Sequence, residues 1–199
     1  MHRIKIAAGA ALAAFALALP ADAAKLTFSE FDARIVSLGD PIFEDGFSVE
    51  ADGDGFSSIF FFQNGSGLDG ASMEIDSDIP ALIKTQSGNP FDLVSAEVGA
   101  RSALGGNGPA SLRFEGTTQS GESVSKTVQV VSGVVELINF EGFEGVVALR
   151  IFGLKGNFVF PSVDNIVLNE VSEVPLPAAL PLFLAGLAGF GAASRRKKS

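Results

Sequence analysis

The chain has no cysteine, no tryptophan and no tyrosine, and its single histidine is His2. Without cysteine there is no disulfide framework, no thiolate metal site and no thiol nucleophile. With the only imidazole at position 2, and lost if the N-terminus is processed, Ser-His-Asp chemistry, His-ligated zinc and His general-base catalysis are excluded from the mature chain. Paired carboxylates suited to glycoside hydrolysis remain chemically available, yet no motif singles out a pair. A non-enzymatic protein is expected.

Basic residues are also scarce in the body of the chain. Residues 24–174 hold eight Lys and Arg against 22 Asp and Glu, a net of −14, whereas the whole chain carries −9 because cations gather at its two ends. Such a surface repels phosphates, so nucleic acid is not a partner. It suits a soluble extracellular protein and attracts divalent cations.

What is present sorts into three parts. His2, Arg3 and Lys5 precede an apolar run from Ile6 to Leu19, and Ala21-Asp22-Ala23 supplies small residues for cleavage. Residues 1–23 therefore read as a secretory signal peptide, because the run is shorter than the roughly 20 residues a spanning helix needs. At the other end, Val174-Pro175-Leu176-Pro177-Ala178 leads into an apolar stretch reaching Ala193, followed by Arg195-Arg196-Lys197-Lys198. Proline motif, transmembrane helix and basic stop occur in that order across 172–199, with the cations expected to stay cytoplasmic. An ordinary tail anchor has the same apolar run and basic end.

Between them, 24–171 reads as one all-β domain, long enough to bury its own core. Gly is abundant at 23 and Phe supplies all 18 aromatics of the chain. No segment keeps a helical apolar period for three turns. Strands are expected at 25–31, 46–50, 57–63, 91–98, 111–117, 124–131, 134–140, 146–152 and 163–169, with glycine-rich loops at 52–55, 64–67 and 105–109. Apolar Leu112 and Phe114 alternate with Arg113 and Glu115, the pattern of a strand with one face against a second sheet. Nine such strands make a β-sandwich.

The C-terminal residues Val174 to Ala178, the apolar run and Arg195 to Lys198 resemble the VPLPA variant of the PEP-CTERM sorting tail of Gram-negative bacteria. That resemblance implies a signal peptidase and an exosortase as partners. It further implies transient residence in the inner membrane, then release or re-attachment at the cell surface or in the extracellular matrix. The order Phe91 to Gly99, Leu112 to Thr117, Val128 to Val130 and Val163 to Leu168 resembles PEP-CTERM proteins with a galactose-binding-like jelly roll. This second resemblance implies a structural Ca2+ held by acids near the first strand and at the start of the last, here Glu30, Asp32 and Asp164.

Two further readings concern ligands. Glu50-Ala51-Asp52-Gly53-Asp54-Gly55 has the alternating oxygens of the first half of an EF-hand loop, but Phe61 stands where the closing Glu is needed, so a solvated turn is the plainer expectation. A carbohydrate-binding module is the alternative to a matrix protein, with an extracellular polysaccharide as partner. Phe60-Phe61-Phe62 is the obvious aromatic cluster, with Phe60 and Phe62 on one face and Phe61 opposite.

Overall fold

The computed structural model describes residues 23–31, 35–37, 39–53, 58–63, 68, 70–75, 79–154 and 157–171. The signal-peptide reading for 1–22, the sorting tail at 172–199 and the candidate ligand Asp32 lie outside the described residues. Ala21–Glu173 forms one compact unit.

The described residues contain strands and no helix: β1 (Ala24–Leu26), β2 (Ile35–Ser37), β3 (Ile42–Glu44), β4 (Phe47–Ala51), β5 (Ser58–Gln63), β6 (Ala71–Glu74), β7 (Ala81–Thr85), β8 (Phe91–Asn107), β9 (Ala110–Thr118), β10 (Ser123–Val130), β11 (Glu136–Asn139), β12 (Val146–Leu154) and β13 (Asn157–Glu170). They form two layers. The first has the order β2-β5-β6-β13-β8-β11, with β1 also on β13; the second has the order β3-β4-β7-β12-β9-β10. All these strand pairs are antiparallel, and the layers meet at one corner through Val146 opposite Phe91. The expected all-β sandwich is what the chain adopts.

The core lies between the layers and is built from alternate residues. In β4, Phe47, Val49 and Ala51 are buried while Ser48 and Glu50 are partly exposed; β9 repeats the pattern with Leu112 and Phe114. Aromatic rings meet in three groups: Phe28 and Phe31 on Phe61, Phe47 edge-on to Phe91, and Phe114, Phe140 and Phe143 in series with centroids 4.7 and 5.3 Å apart. Phenylalanine thus supplies packing area that Trp and Tyr supply elsewhere, without a polar atom to satisfy.

Several strand expectations need correction. β6 and β7 were not expected: every residue of β6 is buried, so Ala71-Ser72-Met73-Glu74 shows no apolar alternation. β2 and β3 are three residues each, too short for a pattern to register. The first strand ends at Leu26 rather than Phe31, because Phe28 takes φ 53° and the chain turns, with the Phe31 amide donating to the Phe28 carbonyl at 2.9 Å. Residues 105–107, expected in a loop, continue β8, whose ladder with β13 extends to Asn107 opposite Asn157.

Candidate functional site

Asp164 is the sequence-selected ligand about which the described residues say most. It stands in β13, directly opposite Glu97 of β8. The two-residue period sets it on the face of Ile166 and Leu168, inward if they are the core set and outward if Val163 and Val167 are. The strand does not keep that period. Asn165 has φ 49° at a register shift, so Val163 lies in the core before the bulge and Ile166 and Leu168 lie in it afterwards. Asp164 is only 1% exposed. Its Oδ1 accepts the Asn165 amide at 2.7 Å, and its Oδ2 is buried without a hydrogen-bond partner.

Burial pushes the Asp164 carboxyl up to about 7, against 3.8 ordinarily. The Asn165 amide opposes that rise, the charge of Glu97 adds to it, Lys25 opposes it and Glu44 adds to it. These neighbours are themselves held in place. Glu97 accepts the Asn165 Nδ2 at 2.8 Å, and Glu44 accepts the Thr27 amide, the Thr27 hydroxyl and the Phe28 amide at 2.9 to 3.1 Å.

The orphaned Oδ2 fits a cation or a proton. No three acidic or other metal-ligating side chains come together in a metal-binding cluster among the described residues. Glu30 is exposed in the turn after β1 and is not among the charges acting on Asp164, whereas Glu97 and Glu44, which sequence reasoning missed, are. The missed signal was register: only the β13–β8 ladder sets Glu97 opposite Asp164.

The EF-hand-like segment is placed differently. Glu50 belongs to β4 and faces Lys84 at 3.8 Å, and Asp52 accepts the Arg150 Nε at 2.5 Å. Protein cations therefore meet both carboxylates, and the half-motif begins as a strand. Asp54 and Gly55 lie outside the described residues.

Phe60 and Phe61 take opposite faces, as alternation requires. Phe61 is fully buried against Phe28, with ring centroids 5.1 Å apart, so it is a core residue and no ligand platform. Phe60 is half-buried and opens a row across the outer face of the first sheet, in which Glu74, Ser162 and Gly99 are buried. Ile35, Phe60, Glu74, Ser162 and Gly99 stand abreast on β2, β5, β6, β13 and β8. Beside that row, Phe160 pairs with Arg101. The Arg101 guanidinium lies 5.0 Å from the Phe160 ring centroid and reaches Glu74 with two hydrogen bonds of 2.9 Å. A planar ion pair beside a half-buried aromatic ring fixes donor and acceptor directions on an otherwise apolar sheet.

No family model matches the chain, and no curated protein does. Among solved structures it is similar to the CBM22-1 xylan-binding domain from Paenibacillus barcinonensis Xyn10C, at 12% identity over 78% of this chain and 98% of that one, with a TM-score of 0.38. It is also similar to TmCBM61 in complex with β-1,4-galactotriose, at 9% identity over 73% and 94% of the two chains, TM-score 0.36. A third is the family 11 carbohydrate-binding module of the cellulosomal cellulase Lic26A-Cel5E of Clostridium thermocellum, at 10% identity over 74% and 95%, TM-score 0.26.

Proposed function

We propose that the sandwich, of jelly-roll type, is a non-catalytic module that binds an extracellular polysaccharide, carried on an exported chain. The observation that supports it is the outer face of the first sheet. There Phe160 and Phe60 offer half-buried rings beside the oriented Arg101–Glu74 pair. Sugars present apolar C–H faces and flanking hydroxyls, and an aromatic surface next to fixed donors and acceptors recognises both at once.

Affinity electrophoresis of the full chain through gels carrying neutral and acidic polysaccharides tests this. Retardation by at least one polymer is expected, lost in Phe160→Ala and in Phe60→Ala and kept in Lys84→Ala on the other sheet. Unretarded migration through every polymer overturns it.

Delivery is a separate proposal, supported by the sequence of the tail. Val174 to Ala178 and Arg195 to Lys198 are the residues an exosortase would read, after signal peptidase acts near Ala23 and while the apolar run crosses the inner membrane. The product is then a surface or matrix protein. Intact mass from the native host, with and without the exosortase, is the test. A mature chain that keeps Arg195 to Lys198 in both strains overturns the sorting reading and leaves the binding reading standing.

A structural Ca2+ with Asp164, Glu30 and Asp32 as ligands is the third proposal. The buried, partnerless Oδ2 of Asp164 supports it.

A further inference from the structure

The acids of this domain are not spread evenly. Residues 98–114, 123–135 and 145–163 contain no Asp or Glu, although 24–174 carries 22 of them. The fold brings one end of each stretch to the same corner. Val159 pairs with Ser102, Ala100 bridges Ser132, the Gly133 amide donates to the Ala100 carbonyl, Val130 pairs with Ala110, and Leu154 pairs with Ser111. Ala24 pairs with Leu168 near the other end of β13, roughly 30 Å away at about 3.3 Å per residue.

The same corner collects exposed apolar side chains. Of the eleven large ones among the described residues, six lie in these stretches: Leu104, Val131, Val134, Val135, Leu154 and Phe158. Leu104 is 89% exposed and Phe158 56%. Both hold a left-handed backbone, φ 52° and 56°, which costs a non-glycine residue roughly 1 kcal/mol or more. Packing within the domain does not account for large apolar groups held there at that cost. Next to them is a cleft of ≈ 430 Å³ lined by Gly106, Gly108, Pro109, Gln129, Val130, Val131, Ser132 and Val159.

We infer that this corner is a self-association surface whose occupant is the same corner of a second copy. The charge pattern chooses the occupant. At a net of −14 for residues 24–174, two copies repel one another over most of their surfaces, and this corner, to which the three stretches bring no carboxylate, is where they approach with less repulsion. A two-fold arrangement sets one patch against its own image, so a projecting Leu104 or Phe158 and a neighbouring cleft are both supplied by each copy. Aromatic and aliphatic knobs in apolar clefts are what such interfaces are made of. This surface is separate from the row headed by Phe60 and does not depend on polysaccharide binding.

The absence of cysteine makes the test direct, because any disulfide formed by a single introduced cysteine is intermolecular. The full chain carrying Phe158→Cys or Leu104→Cys is exported, oxidised and run on a non-reducing gel, with Ser48→Cys on the second sheet as control. Sedimentation velocity of the detergent-solubilised chain accompanies it, at low and high salt. Expected are disulfide-linked dimers at position 104 or 158 at several times the control level. Also expected are a concentration-dependent dimer that strengthens with salt, as screening removes the acidic repulsion, and a monomer in Leu104→Glu/Phe158→Glu. Cross-linking no higher than at Ser48→Cys, with a monomer at every concentration, overturns the proposal. So does a monomer whose polysaccharide binding is lost in Phe158→Glu, which assigns the corner to a glycan.

Discussion

Asp164 lies directly opposite Glu97 in the β13–β8 ladder, so two carboxylates stand on neighbouring strands and the more deeply buried one has an oxygen without a partner. An ionised carboxylate there is costly, and the protein answers by holding a proton at Asp164 up to about pH 7.

That proton sets a pH dependence. The folded value of about 7 lies above the ordinary 3.8, so between those limits the folded chain keeps a proton that the unfolded chain releases. The contribution of Asp164 to stability is fully present below about pH 4, falls as pH rises and levels off above about pH 7. The full fall is on the order of 4 kcal/mol. Asp164→Asn keeps the acceptor for the Asn165 amide and removes the titration. Urea unfolding at pH 4.5 and pH 8 is expected to show the variant gaining several kcal/mol on the wild type between the two; parallel curves would mean that Asp164 titrates normally in the folded protein.

A bound cation would remove the same cost by another route. Ca2+ in millimolar excess is expected to raise the melting temperature at pH 8 by several degrees relative to EDTA, and to do much less at pH 5, where the proton occupies the site. Asp164→Asn should abolish the response. Equal melting temperatures with Ca2+ and EDTA at pH 8 would end the calcium proposal and leave Asp164 as a buried carboxyl that titrates near 7 without a metal.

How far the sequence reveals this site depends on the element. Alternation in 111–117 predicts β9 because one of its faces meets the core and the other meets water. β6 escaped notice because Glu74 is buried by its bond to Arg101, 27 residues on, a partner that no local pattern announces. The jelly-roll resemblance picks out Asp164 by its place at the start of the last strand, and alternation does not fix its orientation: the bulge at Asn165 breaks the two-residue period on which parity rests. Phe61 looked like a ligand ring in a run of three, and alternation made it core.

The Glu74–Arg101 pair is expected to matter for stability as well as for orientation. Glu74 is 6% exposed and accepts both bonds, whereas the Arg101 side chain is 30% exposed and keeps part of its hydration. Glu74→Gln should cost roughly 1 to 3 kcal/mol, below the cost of breaking a fully buried pair, because water still reaches the guanidinium. Arg101→Met alone should also destabilise the domain, and the pair Glu74→Gln/Arg101→Met should cost less than the two single losses together. Losses that simply add in a double-mutant cycle by denaturant unfolding would show that the two groups are not coupled.

Gly153 in β12 lies hard against the backbone that follows β6, and it gives the sharpest test of the packing. A Cβ built there lies 2.1 Å from the Ile75 carbonyl oxygen and 3.0 Å from the Pro161 Cγ. The Ile75 amide donates to the Pro161 carbonyl at 3.2 Å, so the obstructing backbone is itself tied to β13 and has little room to retreat. Gly153→Ala is therefore expected to destabilise the domain by about 3 kcal/mol or more, although alanine normally favours the folded state over glycine. The matched control is Ala148→Gly, in the same strand but partly exposed, which should cost about 1 kcal/mol or less. Similar midpoints for Gly153→Ala and the wild type in urea would mean that the chain after β6 yields to the methyl group at little cost.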